Sequence, residues 1–311
     1  MRPLVVLRGG GDLATGVAWR LQRAGFRIAI LELAQPRAVR RAVSAAQALF
    51  SGSHTVEGVR FMVANNSQAA AFANGQPWAS AALPDATTID NVNSDGNSTA
   101  SAVPVFIDER MELLPVLAPQ VLVDARLKKR ALDTRLEMAP LVVGLGPGFV
   151  VGQHCHAVVE TQRGHTLGRV YATPGAAALP DTGIPESVAG HTAERVLRAP
   201  CNGALLAQVE IGALLEAGAV VCTVAGRVVS APFAGVLRGL LQSGLQVGGS
   251  GECGGGDVSV GQWGGGKGNG GVRPANARLC GGQRAQGGGI SACLGAELIF
   301  AQQSYRERWL Q

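Results

Sequence analysis

Short apolar runs recur through the first half of the chain, each bounded by turn or charged residues: Leu4 to Leu7, Ile28 to Glu32, Val103 to Ile107, Val121 to Val123 and Leu141 to Val143. Runs of this length without polar alternation mark strands buried on both faces, as in parallel sheets. Between them the apolar period changes. Leu13, Val17, Ala18 and Leu21 fall on one helical face, and Val39, Val43, Ala46 and Leu49-Phe50 fall on another. Strands alternating with helices predict a doubly wound α/β sheet, and the first 32 residues spell strand, glycine loop, helix and second strand.

Two stretches interrupt this pattern. Asn65 to Ala102 is dominated by Asn, Ser, Ala, Asp and Thr and reads as a surface insertion without structure of its own. Gly248 to Ile290 holds 18 of the 44 glycines, leaving so little to bury that regular structure is not expected there. Between the two stretches lies an internal repeat: Ala199-Pro200-Cys201-Asn202-Gly203-Ala204-Leu205 recurs 32 residues later as Ala231-Pro232-Phe233-Ala234-Gly235-Val236-Leu237. Each copy reads A-P-x-x-G-x-L, with Pro and Gly placed for tight turns and β-rich segments between. The pattern resembles the barrel-sandwich hybrid of biotinyl and lipoyl domains. Ala225-Gly226-Arg227 stands at the turn where such domains carry their attachment lysine, so no covalent prosthetic group is expected. The predicted division is a Rossmann-like domain over residues 1–150 with the insertion at 65–102, a polar segment over 151–197, and a β-rich barrel-sandwich-like domain over 198–311.

Composition narrows the classes of function. With 311 residues and a hydrophobic fraction of 47%, the chain can build two cores. The formal net charge is +5, yet charged residues make up 16% and aromatics 5%, too few for a basic groove with stacking rings, so nucleic acid is not an expected partner. The apolar run after Arg2 is too short for a secretory segment, and no run approaches the roughly 18 residues that span a bilayer. No membrane association is expected. Six cysteines without a C-x-x-C pair suggest neither a zinc knuckle nor a disulfide framework, and fit a reduced cytoplasm.

Candidate chemistry begins at Arg8-Gly9-Gly10-Gly11-Asp12-Leu13-Ala14. Gly9, Gly11 and Ala14 satisfy G-x-G-x-x-A between a strand and a helix. Gly9 permits a tight turn, Gly11 lets a pyrophosphate approach the backbone, and Ala14 allows close helix–strand packing; Gly10 and Asp12 complete the expected cofactor-binding loop. The helix start offers free N–H groups to an anion. Glu32, ending the second strand, stands where a ribose-binding carboxylate is expected. Asp12 works against a pyrophosphate unless it turns away to cap the helix. The alternative is that the glycines only make a turn.

Two further segments carry reactive side chains. Val121 to Asp124 places a carboxylate at a strand's C-terminal end, followed by Arg126, Lys128, Lys129 and Arg130. That edge of an open α/β sheet is where ligands bind, and its cations suit a phosphate or pterin-type anion. After the turn Gly144-Leu145-Gly146-Pro147-Gly148-Phe149 comes His154-Cys155-His156, with Arg163 and His165 beyond. Cys155 flanked by imidazole and guanidinium groups is a candidate thiolate nucleophile, with His156, Arg163, His165, Asp124 and Arg126 as its supporting catalytic set. In a strand, Cys155 would point away from both neighbouring histidines, which speaks against a three-ligand metal site. A small core cysteine with locally bonded histidines is the competing reading.

With these pieces assembled, the sequence resembles the YqeB family, accessory proteins of the selenium-dependent molybdenum hydroxylase system. The resemblance rests on V-L-R-G-G-G-D-L-A-T-G-V-A with L-E-L, V-L-V-D-A-R-L-K-K-R, V-G-L-G-P-G-F, H-A-V-V-E-T-Q-R-G-H-T-L-G-R-V, T-G-I-P and A-E-R-V-L-R-A-P. It covers residues 1 to 64 and 103 to 247. It implies a cytoplasmic maturation factor whose partner is a molybdenum hydroxylase of the xanthine dehydrogenase-like kind, handling a dinucleotide or molybdopterin-type cofactor. Residues 65–102 and 248–284 depart from the family pattern, and the second departure puts closure of the repeat domain in question. An NAD(P)-dependent oxidoreductase and a non-catalytic scaffold are the alternatives.

Overall fold

A computed structural model describes residues 2–79, 102–128, 132–183 and 191–248, together with the backbone of 259–264. The described residues divide into two compact units: Pro36 and everything before it with Ala45–Asp181, and Arg37–Ser44 with the residues from Thr182 onward.

The first unit is built on β1 (Leu4–Arg8), α1 (Asp12–Arg23), β2 (Arg27–Glu32), α2 (Ala48–Ser51), β3 (Ser53–Val56), β4 (Val59–Ala64), α3 (Ala69–Ala73), β5 (Val103–Ile107), α4 (Leu114–Leu117), β6 (Val121–Asp124), β7 (Leu141–Leu145), β8 (Ala157–Val159) and β9 (Val170–Tyr171). All five strands expected from apolar runs form. The sheet order is β3-β4-β5-β2-β1-β6-β7-β8-β9. The pairings from β4 across to β8 are parallel, and β3 and β9 close the two edges antiparallel. This is a mixed α/β fold around a large, mainly parallel sheet.

Both sheet faces are covered, which explains why the strands are uniformly apolar. Val5, Leu7, Ile28, Ile30, Val123 and Val143 pack with Val17, Ala18 and Leu21 of α1 on one face. Leu4, Val6, Leu31, Leu122 and Val142 pack with Leu117, Phe149 and Cys155 on the other. The turn after β7 depends on a missing side chain: a Cβ on Gly144 would lie 2.3 Å from the fully buried Phe149 ring.

The chain reverses its direction of build at β1. From there β2, β5 and β4 extend one way and β6, β7 and β8 the other. The C-terminal ends of β1 and β6, paired through Arg8 and Asp124, therefore flank the point where strand order switches. In open α/β sheets that point opens a crevice.

The second unit contains β10 (Val196–Arg198), β11 (Gly203–Ala207), β12 (Leu214–Leu215), β13 (Val220–Val224), β14 (Arg227–Ser230), β15 (Gly235–Leu240), β16 (Gln246–Val247) and β17 (Ser259–Gly264). They form two four-stranded sheets, β10-β17-β15-β12 and β14-β13-β11-β16. The sequence repeat is repeated in the pairing. Each copy's glycine opens an inner strand, β11 or β15, and the next strand crosses to pair with the other copy: β12 with β15, and β16 with β11. Gly203 adopts φ +149°, and a Cβ there would meet the Ala225 methyl at 2.6 Å. Ala225 and Gly226 both have positive φ, the signature of a two-residue hairpin turn joining β13 to β14.

Four sequence expectations are corrected. The apolar face traced through Val39, Val43, Ala46 and Leu49 is not one helix: only Ala48–Ser51 is α-helical, preceded by short 3₁₀ turns. Tertiary contacts override the period, because the Leu240 N–H donates to the Val39 carbonyl and Arg41 Nε donates to the Leu240 carbonyl within the second unit. The insertion does not begin at Asn65, since Asn65 and Gln68 form a capping box and Phe72 packs edge-on against Trp78. The remainder of that insertion, 80–101, lies outside the described residues. Within the glycine-rich stretch, Ser259–Gly264 forms a strand between β10 and β15; the rest from 249 onward lies outside the described residues. Finally, the polar segment over 151–197 is not a separate body, as β8 and β9 complete the first unit's sheet.

Candidate functional site

The glycine loop leaves β1 with Gly9 at φ +99°, a conformation open to glycine. A Cβ at Gly9 would also press on Arg126 Cγ and N, both at 3.2 Å. Gly11 is the N-cap of α1 without a side-chain cap, so Asp12 occupies the first helical turn, where the helix dipole favours its charge. Ala14 is fully buried against the sheet, as the motif requires.

The amides of this loop are partly spoken for. Gly10 N–H donates to Glu32 Oε2 at 2.6 Å, while Leu33 N–H donates to Glu32 Oε1 at 2.7 Å. The carboxylate expected to meet a ribose therefore closes on the loop itself. Burial raises the Glu32 pKa, against the lowering effect of the Leu33 and Gly10 N–H groups and of the Arg126 charge. The chain after β2 returns over the same corner: Ala45 N–H donates to Thr15 Oγ1 at 2.7 Å and Ala46 N–H to the Gly10 carbonyl at 2.9 Å. Among the described residues nothing lies within 4 Å of a Cβ built on Gly11, so approach to the backbone stays open there and not at Gly10.

Beside the loop, the ends of β1 and β6 carry a charge network. Asp124 is fully buried and receives Arg126 side-on, from Nε to Oδ1 at 3.0 Å and from NH2 to Oδ2 at 2.6 Å. Thr134 Oγ1 donates to the same Asp124 Oδ2. Asp133 then bridges two cations: Arg8 grips it with NH1 to Oδ1 at 3.1 Å and NH2 to Oδ2 at 2.7 Å, and Arg126 NH2 reaches Oδ1 at 2.7 Å. Burial opposes charge on both partners, yet the hydrogen bonds and charges win. Asp133 is held well below the usual carboxylate range by Arg8 and Arg126, and Arg126 is raised by Asp124 and Asp133.

The cysteine region has a different character. Cys155 lies fully buried in the core with Phe149, and burial pushes its thiol up to about 11, the Asp124 charge adding to the rise. A nucleophile needs the opposite shift. His156 Nδ1 accepts the Val142 N–H at 3.0 Å, and His154 Nδ1 accepts the Val150 N–H at 3.1 Å, so each ring is tied to backbone. Burial lowers the His156 pKa. Arg163 and His165 are exposed in the loop between β8 and β9.

The expected catalytic set therefore separates. Asp124 and Arg126 stand together beside Gly9 and Glu32, whereas Cys155 is core, His156 braces β7, and Arg163 and His165 face solvent. Lys128 is exposed, and Lys129 and Arg130 lie outside the described residues. Three members of the network, Arg8, Asp133 and Thr134, escaped the sequence reading. Arg8 had a visible signal: a cation closing an otherwise apolar strand directly before the glycines. Asp133 and Thr134 follow no motif. Among the described residues no group of three His, Cys, Asp or Glu side chains is placed to hold a metal ion, and no helix is long and apolar enough to cross a membrane.

No family model matches the chain. It is 40% identical over 244 residues to the uncharacterized protein YqeB of Escherichia coli K12, a match covering 78% of this chain and 40% of that protein. The chain is thus a homologue of YqeB over the matched region and spans well under two thirds of its length. A crystal structure of an aspartoacylase family protein from Mesorhizobium loti is similar over 85% of each chain, at 12% identity and a TM-score of 0.23. That likeness carries no argument about fold or activity.

Proposed function

We propose that the chain is a YqeB-type accessory protein that serves the maturation of a selenium-dependent molybdenum hydroxylase, and that it binds an anionic nucleotide or cofactor moiety at the β1/β6 edge. The observation that carries the binding reading is the convergence of Arg8 and Arg126 beside the glycine loop at the strand-order switch. On this reading the sheet is a Rossmann-like doubly wound one, and the repeat unit is a barrel-sandwich of the biotinyl and lipoyl kind. The maturation role draws on the motif resemblance and on similarity to YqeB.

For a dinucleotide or molybdopterin-type ligand, the residues present supply two guanidinium groups and the open approach at Gly11. Such a ligand would bring the redox or group-transfer chemistry. The protein's own contribution is to hold its phosphate groups with Arg8 and Arg126, the latter fixed by its hydrogen bonds to Asp124. Gly10 contributes no free amide while Glu32 holds it. This weakens the reading as an independent NAD(P)-dependent oxidoreductase, in which Glu32 is needed for the ribose.

Deletion of the gene tests the proposal: the target hydroxylase is expected to accumulate in normal amount without activity, and full hydroxylase activity in the deletion strain rejects the role. A scaffold reading is favoured by a separate observation, the exposure of Leu206, Leu214 and Val228 on the repeat unit. It predicts that Arg8→Met with Arg126→Met still supports maturation, and the anion-binding reading predicts that it does not.

A further inference from the structure

We propose that Arg8 and Arg126 form an oxyanion-binding site whose place in this structure is filled by the protein's own Asp133 carboxylate, and that a phosphate or carboxylate group of the ligand takes that place. This rests on the anion-binding part of the reading above and names the atoms that perform it.

Three observations carry it. Three guanidinium N–H groups from two arginines meet on one carboxylate, with Arg8 gripping it in the bidentate manner that suits carboxylate and phosphate oxygens equally. The two sides of the contact differ in character. The Arg8 side chain is 7% exposed and ends β1, while the Asp133 side chain is 53% exposed and belongs to the connection between β6 and β7, which lacks regular structure at that point. A buried cation fixed by the sheet is thereby served by a carboxylate on a loop, an arrangement in which the cation is permanent and the anion can be exchanged.

The third observation is that each arginine has a partner besides the Asp133 side chain. Arg126 is anchored by Asp124 through Nε and NH2, and Arg8 NH1 also donates to Thr134 Oγ1 at 3.2 Å. With Asp133 withdrawn, both guanidinium groups remain, with Asp124 still bonded to Arg126 and the Glu32 carboxylate near enough to feel the Arg126 charge. Among the described residues Asp133 is the carboxylate bonded to Arg8, so its withdrawal leaves that buried guanidinium, at the strand-order switch, for an incoming anion. A purely structural ion pair requires none of this asymmetry.

The two sources of an oxyanion are separated by using inorganic pyrophosphate and succinate as probes, with binding measured by calorimetry on the full-length protein. Asp133→Ala is expected to bind at least one of them about tenfold or more tightly than the native chain, and Asp133→Asn, which keeps the shape but not the charge, is expected to follow it. Preference for pyrophosphate assigns the site to a phosphate group, and preference for succinate to a carboxylate. Arg8→Met in the Asp133→Ala background is expected to abolish the gain. Thermal unfolding of each variant shows whether it is folded, and Asp133→Asn serves if Asp133→Ala is not. Equal affinity of native and Asp133 variants for both probes overturns the proposal, as does a gain that survives Arg8→Met. These outcomes are independent of hydroxylase activity in the deletion strain, so the site and the maturation role can fail separately.

Discussion

Replacing Glu32 by alanine should unlock the glycine loop locally. Its carboxylate accepts two short hydrogen bonds, 2.6 Å from Gly10 N–H and 2.7 Å from Leu33 N–H. Bonds to a charged acceptor contribute roughly 1.5–3 kcal/mol each, and the burial that raises the Glu32 pKa offsets part of this, favouring the lower end. Each amide exchanges its hydrogen through a local opening whose equilibrium shifts about tenfold per 1.4 kcal/mol. Glu32→Ala is therefore expected to speed exchange at Gly10 and Leu33 by about 10- to 100-fold. Glu32→Gln keeps one accepting oxygen and should fall between. The assay is hydrogen–deuterium exchange resolved to single amides. Thr15 N–H, which donates to the Gly11 carbonyl at 2.9 Å without touching Glu32, is the internal control. Less than a twofold change at both amides would refute the reasoning, and so would equal acceleration at Thr15, which indicates global unfolding.

Other consequences follow from the same geometry. In a strand, Gly→Ala ordinarily stabilises by roughly 0.5–1 kcal/mol, but at Gly144 the added methyl would meet Phe149 at 2.3 Å, so Gly144→Ala should destabilise by about 1–3 kcal/mol in urea unfolding. Phe149→Leu should recover part of that loss in the double variant, and a neutral or stabilising Gly144→Ala contradicts the packing. His156 has a folded pKa lowered by burial, so the folded state takes up fewer protons than the unfolded one as the pH falls below the ordinary value of 6.5. Stability from this group is full above that pH and declines below it, and His156→Gln should flatten the dependence of Tm on pH in that range. The thiol of Cys155, pushed up to about 11, should resist iodoacetamide at pH 8 until the protein is unfolded, as read by peptide mass mapping. Labelling of native Cys155 at the rate of an exposed thiol would restore it as a candidate nucleophile.

The parallel strands were legible because burial on both faces leaves an unbroken apolar run, and α1 because Leu13, Val17, Ala18 and Leu21 share one face. The A-P-x-x-G-x-L repeat was equally legible, since each glycine stands at the start of an inner strand. Val39 to Phe50 misled because a helical period says nothing about distant backbone partners, and here Leu240 supplies them. In the candidate site, Asp124 and Arg126 could be placed from their position at a strand end. The Asp133 bridge could not, since it joins residues 125 positions apart through a loop with no motif. Cys155 misled for a related reason: flanking histidines suggest activation in a linear reading, whereas the fold ties both rings to backbone and turns the thiol into the core.

The central claim is that an anion docks on the two arginines at the β1/β6 edge. A crystal structure of Asp133→Ala grown with inorganic pyrophosphate tests it most directly. Density for the anion within about 3 Å of guanidinium nitrogens of both Arg8 and Arg126 is the expected result. Pyrophosphate bound elsewhere, with the two guanidinium groups turned away from each other or paired to other side chains, would contradict it.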